Sequence, residues 1–284
     1  MKKIFTLVCS VLFAAQFAPV SAQDNTGTDT TDPSYNLVVY GDGQILYTIP
    51  VTGSEMIDSI TFKADNGTGD FVDLGLSSGT LWAYKNVGAT SETDAGNYYA
   101  WGETEDKRFK ENKNSYEWTT YTMTPWTAEA GRKFNKYTLN STTKGDGKLA
   151  LEAEDDAATV AYSDESVSTP SADQYKELFD QCDYEYTTML DAEGTQIPGW
   201  KFTSRVFWSN TIFFPTTYCY DGAMITPTNS IYWTKTLDQT ETSLDQKAYS
   251  FQFDAVTEEN PTTDIVLGTT KRYVGAAVRA VMNQ

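Results

Sequence analysis

Hydrophobic and polar residues alternate after residue 34 in the manner of β-strands. Apolar or aromatic residues recur in YNLVVY, which begins at Tyr35, and in QILYTIP, which begins at Gln44, with a Gly41–Gly43 turn between them. Glycines supply the positive φ angles that a tight hairpin needs. A third run, MIDSITFK, follows over residues 56–63. We therefore predict a small β-leader module over residues 35–69, made of a hairpin and a third strand.

Short strand-like runs return from residue 70 onward and predict a larger domain that continues to residue 284. FVDLGL and TLWAYKNVG predict its first strands. The later runs are GWKFTSRVFWS, TIFFPTTYCY, SIYWTKT, KAYSFQF and YVGAAVRAV. Their Thr, Tyr, Trp and Val content favours sheet. Residues 104–148 are polar and lack a sustained period, which predicts an extended surface insertion.

Two segments indicate helices. Residues 152–162 predict a short one, and a longer one begins at Ser171, which follows a proline and suits the N-cap position. The apolar face of the longer helix is predicted to consist of Tyr175, Leu178, Phe179 and Cys182, which recur at helical spacing. Few helices among many strands predict an α+β protein.

Residues 1–22 have the pattern of an export signal. A basic start precedes an apolar run from Ile4 to Phe17 and a small-residue cleavage site at Val20–Ala22. The run is shorter than the ~20 residues that a membrane-spanning helix needs. Residues 23–34 are polar and predict a disordered linker. We expect a protein exported to the periplasm, the cell surface or the medium, with no membrane insertion after cleavage.

The charge is strongly acidic. The chain has 21 basic and 39 acidic residues and a net charge of −18. Attraction to phosphate backbones or to anionic lipid headgroups requires clustered Lys and Arg. The composition therefore argues against nucleic acid and anionic membrane surfaces as partners.

Histidine is absent from all 284 residues. This excludes catalytic triads that depend on imidazole and metal sites that use histidine ligands. We expect no metal and no cofactor.

The stretch Phe71–Glu103, FVDLGLSSGTLWAYKNVGATSETDAGNYYAWGE, resembles the opening of the Fibrobacter succinogenes major paralogous domain, a family of exported Bacteroidota proteins. The resemblance continues, in order, through DDAATVAY, TPSADQYKELFDQC, IFFP, IYWTKT and VGAAVRAV. It implies a C-type-lectin-like domain over residues 70–284, with two helices, twisted antiparallel sheets and long loops. In that arrangement the final strand pairs beside the first, and the loops gather on the opposite side.

The resemblance also implies roles for individual residues. Trp82, Trp101, Trp208 and Trp233 lie inside family motifs and are expected in the core. Arg279 stands where the family has an arginine, and we expect it to brace acidic neighbours such as Glu177. The sulfatase-modifying relatives of this fold carry a close cysteine pair, whereas the two mature cysteines here lie in unlike segments, which argues against that enzyme chemistry.

Cys182 and Cys219 are the candidates for a disulfide in an oxidising compartment. A bridge would close a loop of about 37 residues and contribute roughly 3 to 4 kcal/mol. The alternative is that both are unpaired and buried. Sequence cannot show whether the two Cα atoms approach closely enough.

Aromatic residues in the loop regions are the strongest indication of a ligand site. Flat rings stack on sugar faces and serve as anchors in protein interfaces. The alternative is that these rings pad the insertion against the sheet. The candidate ligand-binding residues are Trp118, Tyr121, Trp126, Tyr218 and Tyr220.

Acidic clusters form a second class of candidate. They comprise Glu103, Glu105 and Asp106, then Glu152, Glu154, Asp155 and Asp156, with Asp146 in a GDG turn. Calcium prefers carboxylate oxygens, but the spacing of an EF-hand loop is absent. A solvated face or a helix N-terminus accounts for them better.

Three functions remain open. The leading hypothesis is an exported, non-enzymatic binding or adhesion module that recognises a glycan or protein through its loop face. The alternative is an assembly subunit of a surface fibre. A polysaccharide hydrolase is third. These predict, respectively, an exposed aromatic patch, an exposed sheet edge and a cleft with two converging carboxylates.

Overall fold

A computed structural model describes residues 69–108, 115–127, 131–138, 146–222, 224–226, 229–240, 246–256 and 263–283, with strands at 5–8, 15–18, 35–41, 44–51 and 60–63. The chain divides into two compact units between Gly69 and Asp70. No helix in the described ranges is both long enough and apolar enough to cross a membrane.

The strands described in the first unit are β1 Phe5–Val8, β2 Ala15–Ala18, β3 Tyr35–Gly41, β4 Gln44–Val51 and β5 Ile60–Lys63. β3 and β4 form the predicted antiparallel hairpin. The predicted third strand exists as β5 but pairs in parallel with β1, while β2 joins the hairpin beside β3. β1 and β2 lie within the predicted export signal, whose cleavage stays a prediction. The predicted linker 23–34 lies outside the described residues.

The second unit combines two α-helices with several antiparallel sheets in its described part, so the α+β class is confirmed. The helices are α1 Ala157–Tyr162 and α2 Ala172–Gln181. The strands are β6 Phe71–Asp73, β7 Leu81–Asn86, β8 Trp126–Thr127, β9 Gly131–Arg132, β10 Val167–Ser168, β11 Cys182–Leu190, β12 Gln196–Ser204, β13 Thr211–Pro215, β14 Cys219–Asp221, β15 Met224–Thr226, β16 Asn229–Leu237, β17 Lys247–Asp254, β18 Val266–Lys271 and β19 Arg279–Met282.

The sheets are small and their connections bring distant segments together. The strand orders are β10-β19-β7-β6, β11-β12-β13 and β16-β17-β18, with two-stranded pairs β14-β15 and β8-β9. In the first sheet, Val281 lies opposite Trp82 and Met282 opposite Leu81. The last strand therefore returns beside the opening hairpin as expected, although it pairs with β7 rather than with β6.

The longer helix begins where the local sequence predicts, whereas the shorter one begins five residues later than predicted, at Ala157. Ser171 caps α2 in a capping box with Gln174, and Tyr175 and Leu178 are buried beneath the helix. The shorter segment splits into a 3-10 turn at Ala153–Asp155 and α1, whose N-cap is Asp156. The carboxylate of Asp156 accepts hydrogen bonds from the first-turn amides, which helps to start so short a helix.

Two aromatic-rich core clusters fill the second unit. Trp82 lies in one cluster, between Tyr175 and Phe214, and Trp101 and Trp233 lie in the other. These three assignments are confirmed. The assignment of Trp208 to the core is wrong, because its side chain is 82% exposed at the turn between β12 and β13.

The prediction that residues 104–148 lie on the surface is wrong for several of the described residues. Lys107, Tyr116, Tyr121 and Tyr137 are buried, and the three tyrosines belong to the core cluster of Trp101. The charged and polar residues between them break the periodicity on which the prediction rested. The insertion is therefore partly an internal layer of the domain.

Candidate functional site

One end of the second unit is built from irregular segments that continue beyond β7 and β19. We call it the loop end and define it as the described residues within 87–138, 216–222 and 272–278. Backbone hydrogen bonds hold these segments together: Tyr99 donates to Ala276 at 2.9 Å, and Tyr220 donates to Gly275 at 2.8 Å. The loop end carries all five candidate ligand-binding residues.

Arg272 anchors the insertion to the core at this end. The side chain is fully buried, and its Nε donates to the hydroxyl of Tyr121 at 3.0 Å while Nη1 donates to the carbonyl of Tyr137 at 3.1 Å. The guanidinium lies 4.3 Å from the ring centroid of Phe134 and 4.7 Å from that of Trp101. Such cation–π contacts strengthen when water is excluded, so Arg272 ties Tyr121, Phe134 and Tyr137 of the insertion to the core.

Of the five candidate ligand-binding residues, one is buried, and one has a side chain outside the described residues. Tyr121 is 2% exposed, and its hydroxyl donates to the carbonyl of Trp101 at 2.6 Å. The assignment of Tyr121 to ligand binding is therefore wrong, because its ring pads the insertion and its polar atom is already bonded. The side chain of Trp126 lies outside the described residues. A buried ring and a surface ring look alike in a segment without periodicity.

The other three candidates are half-buried. Trp118 packs against Tyr121, Phe134 and Tyr273, with a centroid distance of 4.8 Å to Tyr273. Tyr220 makes an edge-to-face contact with Tyr98 at 4.9 Å. Trp118 and Tyr220 therefore pack against the core and remain partly exposed.

Tyr218 differs from the rest in its backbone, whose φ angle is 60°. A bulky residue in the left-handed region is strained by about 1 to 3 kcal/mol. Its amide donates to the hydroxyl of Ser230 at 3.2 Å, and its carbonyl accepts from Thr217 Oγ1 at 3.1 Å. These bonds hold the left-handed conformation, and the side chain of Tyr218 is partly exposed.

Gly275 allows the ring of Tyr116 to pack against the backbone of the loop end. A Cβ atom there would lie 2.7 Å from atoms of the Tyr116 ring, which is closer than real side-chain contacts allow. Tyr116 is fully buried and packs against Tyr220 at 5.8 Å. The glycine is required by the approach of an aromatic ring to the backbone.

The acidic clusters are partners of internal cations. Glu103 is 6% exposed, lies 2.5 Å from Lys107 Nζ and accepts hydrogen bonds from the amide and hydroxyl of Thr122. The expectation of a solvated face is therefore wrong for Glu103. Glu105 is exposed, and Asp106 is half-buried against Arg108.

The carboxylates of Glu152, Glu154 and Asp155 converge to within 4.8 Å of one another, as metal ligands do. Lys136 Nζ occupies their centre, 2.7 Å from Glu152 and 2.6 Å from Glu154, with a third ion pair to Asp155. Burial acts to lower the pKa of Lys136, but the hydrogen bonds that its ammonium group donates to the three carboxylates outweigh it and raise the pKa. The lysine supplies the positive charge that a metal ion would supply.

Asp156 and Asp146 satisfy backbone amides. Asp156 is buried and accepts from the amide and hydroxyl of Thr169 as well as from α1. The exposed Asp146 accepts from the amides of Tyr137 and Thr138. The helix N-terminus interpretation is therefore confirmed for Asp156.

A small cavity of about 10 Å³ lies between Trp101, Trp233 and Thr169, with Glu103 and Asp155 in its lining. This is room for roughly one water molecule. Both carboxylates are paired with lysines. Two carboxylates thus approach a common space, but that space cannot admit a sugar ring.

The cysteines are free and buried, and they belong to different core clusters. The disulfide alternative is therefore wrong in this structure. Burial raises the pKa of Cys182 to about 11, which keeps the thiol protonated.

Arg279 also departs from expectation. It is fully buried, and its three hydrogen bonds go to neutral oxygens of Asn86, Ala83 and Phe213. Glu177 instead accepts from Ser77 and Ser78. The expectation that Arg279 pairs with Glu177 is therefore wrong.

A second exposed surface was missed at the sequence level. Val206, Phe207 and Trp208 form the turn between β12 and β13 and are 62%, 44% and 82% exposed. The sequence does indicate this surface, because three consecutive apolar residues lie in a hairpin turn, where polar residues are usual. The strand prediction extended over these three residues, because apolar and polar residues alternate in the segment before them.

The resemblance to the major paralogous domain rests on the sequence motifs alone. No family model, no curated protein and no solved structure matches this chain.

Proposed function

We propose that this protein is an exported, non-enzymatic binding module with a C-type-lectin-like domain, and that its loop end recognises a glycan or protein ligand. The observation that carries the proposal is the left-handed backbone of Tyr218, φ 60°, which presents a half-exposed ring. Among the described residues other than glycine, Tyr137 and Ser163 share this conformation, but Tyr137 is buried in the core and Ser163 ends α1, so Tyr218 is the aromatic residue of the three whose ring is partly exposed. Backbone strain is enriched at functional sites.

The surroundings of Tyr218 support the proposal. Tyr220 and Trp118 contribute two more half-exposed rings to the loop end, each fixed by buried aromatic neighbours. Arg272 fixes the segment below them. Rings that are already immobilised lose little entropy on binding, which favours recognition by stacking.

The hydrolase alternative has less support. Within the described residues, the carboxylates that line the small cavity are both paired with lysines, and the cavity is too small for a sugar. A general acid would need a carboxyl group with a raised pKa beside an open cleft.

The assembly alternative draws on β11, which lies at the edge of its sheet over nine residues. Asp183 and Glu185 project from this edge as exposed charges. Charged side chains on an edge strand discourage pairing with another strand. The β11 edge therefore gives the assembly alternative little support.

Substitution of Tyr218 tests the proposal. Tyr218→Asn removes the ring but suits a left-handed backbone, so relief of strain offsets lost packing and the free energy of unfolding should change by less than about 1 kcal/mol. Ligands found for the wild type on arrays of glycans and of surface proteins should bind the variant at least tenfold more weakly. Tyr184→Ala, an exposed tyrosine on β11, is the matched control. Equal binding by wild type and Tyr218→Asn would refute the loop end as the site.

A further inference from the structure

The turn between β12 and β13 exposes three consecutive apolar side chains to solvent. We call residues 205–210 the hairpin tip. Trp208, at 82% exposure, is the most exposed tryptophan among those whose side chains the structure describes, and Val206 and Phe207 flank it. Large apolar groups are unfavourable in water, so a contiguous patch of this kind marks a contact surface.

The hairpin tip has a well-defined backbone. Ser204 Oγ accepts from the amides of Val206 at 3.1 Å and Phe207 at 2.8 Å, and it donates to the carbonyl of Leu74 at 2.7 Å. Asn210 Nδ2 donates to the carbonyl of Asp73 at 2.7 Å. The tip is therefore fastened to the turn between β6 and β7, and Trp208 is presented from a fixed base.

A glycine completes this attachment. Gly75 has a φ angle of 66°, and a Cβ atom there would lie 2.7 Å from Val206 Cβ. Val206 consequently rests directly over the backbone of the β6–β7 turn. Preorganisation of this kind lowers the entropy lost when a ligand binds.

The hairpin tip is separate from the loop end. It contacts the turn that precedes Leu81, whereas the loop end begins after Asn86, at the other end of β7. Six residues of extended strand span roughly 17 Å. A ligand at the tip would therefore occupy a second site, independent of the proposed function.

The size and charge of the patch limit its occupant. With side-chain areas of about 150 to 250 Å² for aromatic residues, the exposed parts of the three apolar residues sum to roughly 350 Å². A stable protein interface needs about 800 Å² from each partner. To reach that area, a protein would have to cover the exposed ion pairs Asp183–Arg205 and Glu185–Lys201, and a second copy would bring its own net charge of −18.

A neutral carbohydrate chain fits both the small apolar area of the patch and the charges around it. An exposed indole can stack on the C–H face of one pyranose ring, and the stacking requires no charge on the ligand. Arg205, the cation within the hairpin tip, donates from Nε to Asp183 at 2.7 Å, so its charge is already paired. We propose that the hairpin tip is a binding platform for neutral polysaccharide, with Trp208 as the stacking residue and Phe207 extending the apolar surface.

Affinity gel electrophoresis with hydroxyethylcellulose, xyloglucan and galactomannan tests the proposal on the full mature chain. The wild type should be retarded by at least one of these neutral polymers. Trp208→Ala should weaken the affinity at least tenfold, and Trp208→Phe should restore part of it. Leu190→Ala removes an equally apolar side chain, 62% exposed on the same sheet, and should behave as the wild type. The same polymer should protect wild-type fluorescence from acrylamide quenching.

Other outcomes would overturn the proposal. One is the absence of retardation by all three polymers, and another is equal retardation of the wild type and Trp208→Ala. Binding to phosphatidylcholine vesicles or self-association in sedimentation, if abolished by Trp208→Ala, would assign the tip to a different occupant. Tyr218→Asn should leave retardation unchanged, so failure of the tip site and failure of the loop-end site are distinguishable.

Discussion

Arg279 donates from Nε to Asn86 Oδ1 at 2.9 Å and thereby joins the last strand of the domain to β7, 193 positions earlier. The same guanidinium donates to the carbonyls of Ala83 at 2.9 Å and Phe213 at 2.6 Å, and it lies 4.5 Å from the ring centroid of Phe214. Burial lowers the pKa of Arg279. This one side chain connects the opening hairpin, the closing strand and β13.

Replacing Arg279 should therefore cost much stability. Arg279→Met leaves three buried acceptors without their donor, and we expect the free energy of unfolding to fall by about 3 kcal/mol or more. Urea denaturation followed by tryptophan fluorescence measures the loss. Arg205→Met is the control, because Arg205 makes an exposed pair with Asp183. Similar losses in the two variants would show that the buried network contributes little.

The cysteines should be inaccessible but unbridged. Cys182 and Cys219 are buried, so Ellman's reagent should react with neither in the native mature protein. Under denaturing, non-reducing conditions both thiols should react. Detection of no thiol after denaturation would mean that the chain forms the disulfide that the structure lacks.

Asp106 should contribute to loss of stability in acid. Burial acts to raise the pKa of Asp106, but hydrogen bonds from the side chain and backbone of Arg108 outweigh it and lower the pKa. The folded value thus lies below the unfolded value of about 3.9. The ionised carboxylate stabilises the fold above that value, and this contribution is lost as the pH falls through the folded pKa.

Urea unfolding of Asp106→Asn between pH 7 and acid measures this contribution. The variant should show a shallower decline below about pH 4 than the wild type. Asp173→Asn, which changes an exposed carboxylate on α2, should keep the wild-type profile. If the free energy of unfolding of Asp106→Asn falls with pH as steeply as that of the wild type, Asp106 does not contribute to the loss of stability in acid.

Lys136 should determine whether the carboxylates of Glu152, Glu154 and Asp155 can bind calcium. With the lysine in place, addition of Ca²⁺ should leave the wild-type Tm unchanged, because the centre of the cluster is filled. Lys136→Met should lower the Tm by about 3 °C or more, since three carboxylates then repel one another. Millimolar Ca²⁺ should recover part of that loss.

Lys133→Met is the matched control, since Lys133 is an exposed lysine of the same segment. It should melt like the wild type with and without Ca²⁺. A calcium-dependent rise in the wild-type Tm would contradict the role given to Lys136.

Local patterns predicted the local structure. The cap at Ser171, the buried face of α2 and the β3–β4 hairpin depend on residues within a few positions of one another, and all three are present. The return of the last strand beside the opening hairpin was expected only from the resemblance to a known family, and β19 does pair with β7. Periodicity specifies such features because it states which side of a helix or strand is apolar.

The candidate site depended on more than local pattern. Tyr121 and Trp208 are both aromatic residues in segments without helical period, yet one is 2% exposed and the other 82%. Lys136 lies among three carboxylates that are 16 to 19 positions away in the chain, and nothing in the sequence predicts that it fills their centre.

The sequence by itself determined the mixture of short strands with two helices, the acidic charge and the absence of imidazole chemistry. Only the tertiary structure decided which aromatic rings reach solvent and which cations meet which carboxylates. The physical reason is that burial and ion pairing in this domain arise between residues far apart in the chain. Their approach is set by how the sheets and the insertion pack, and no short segment encodes it.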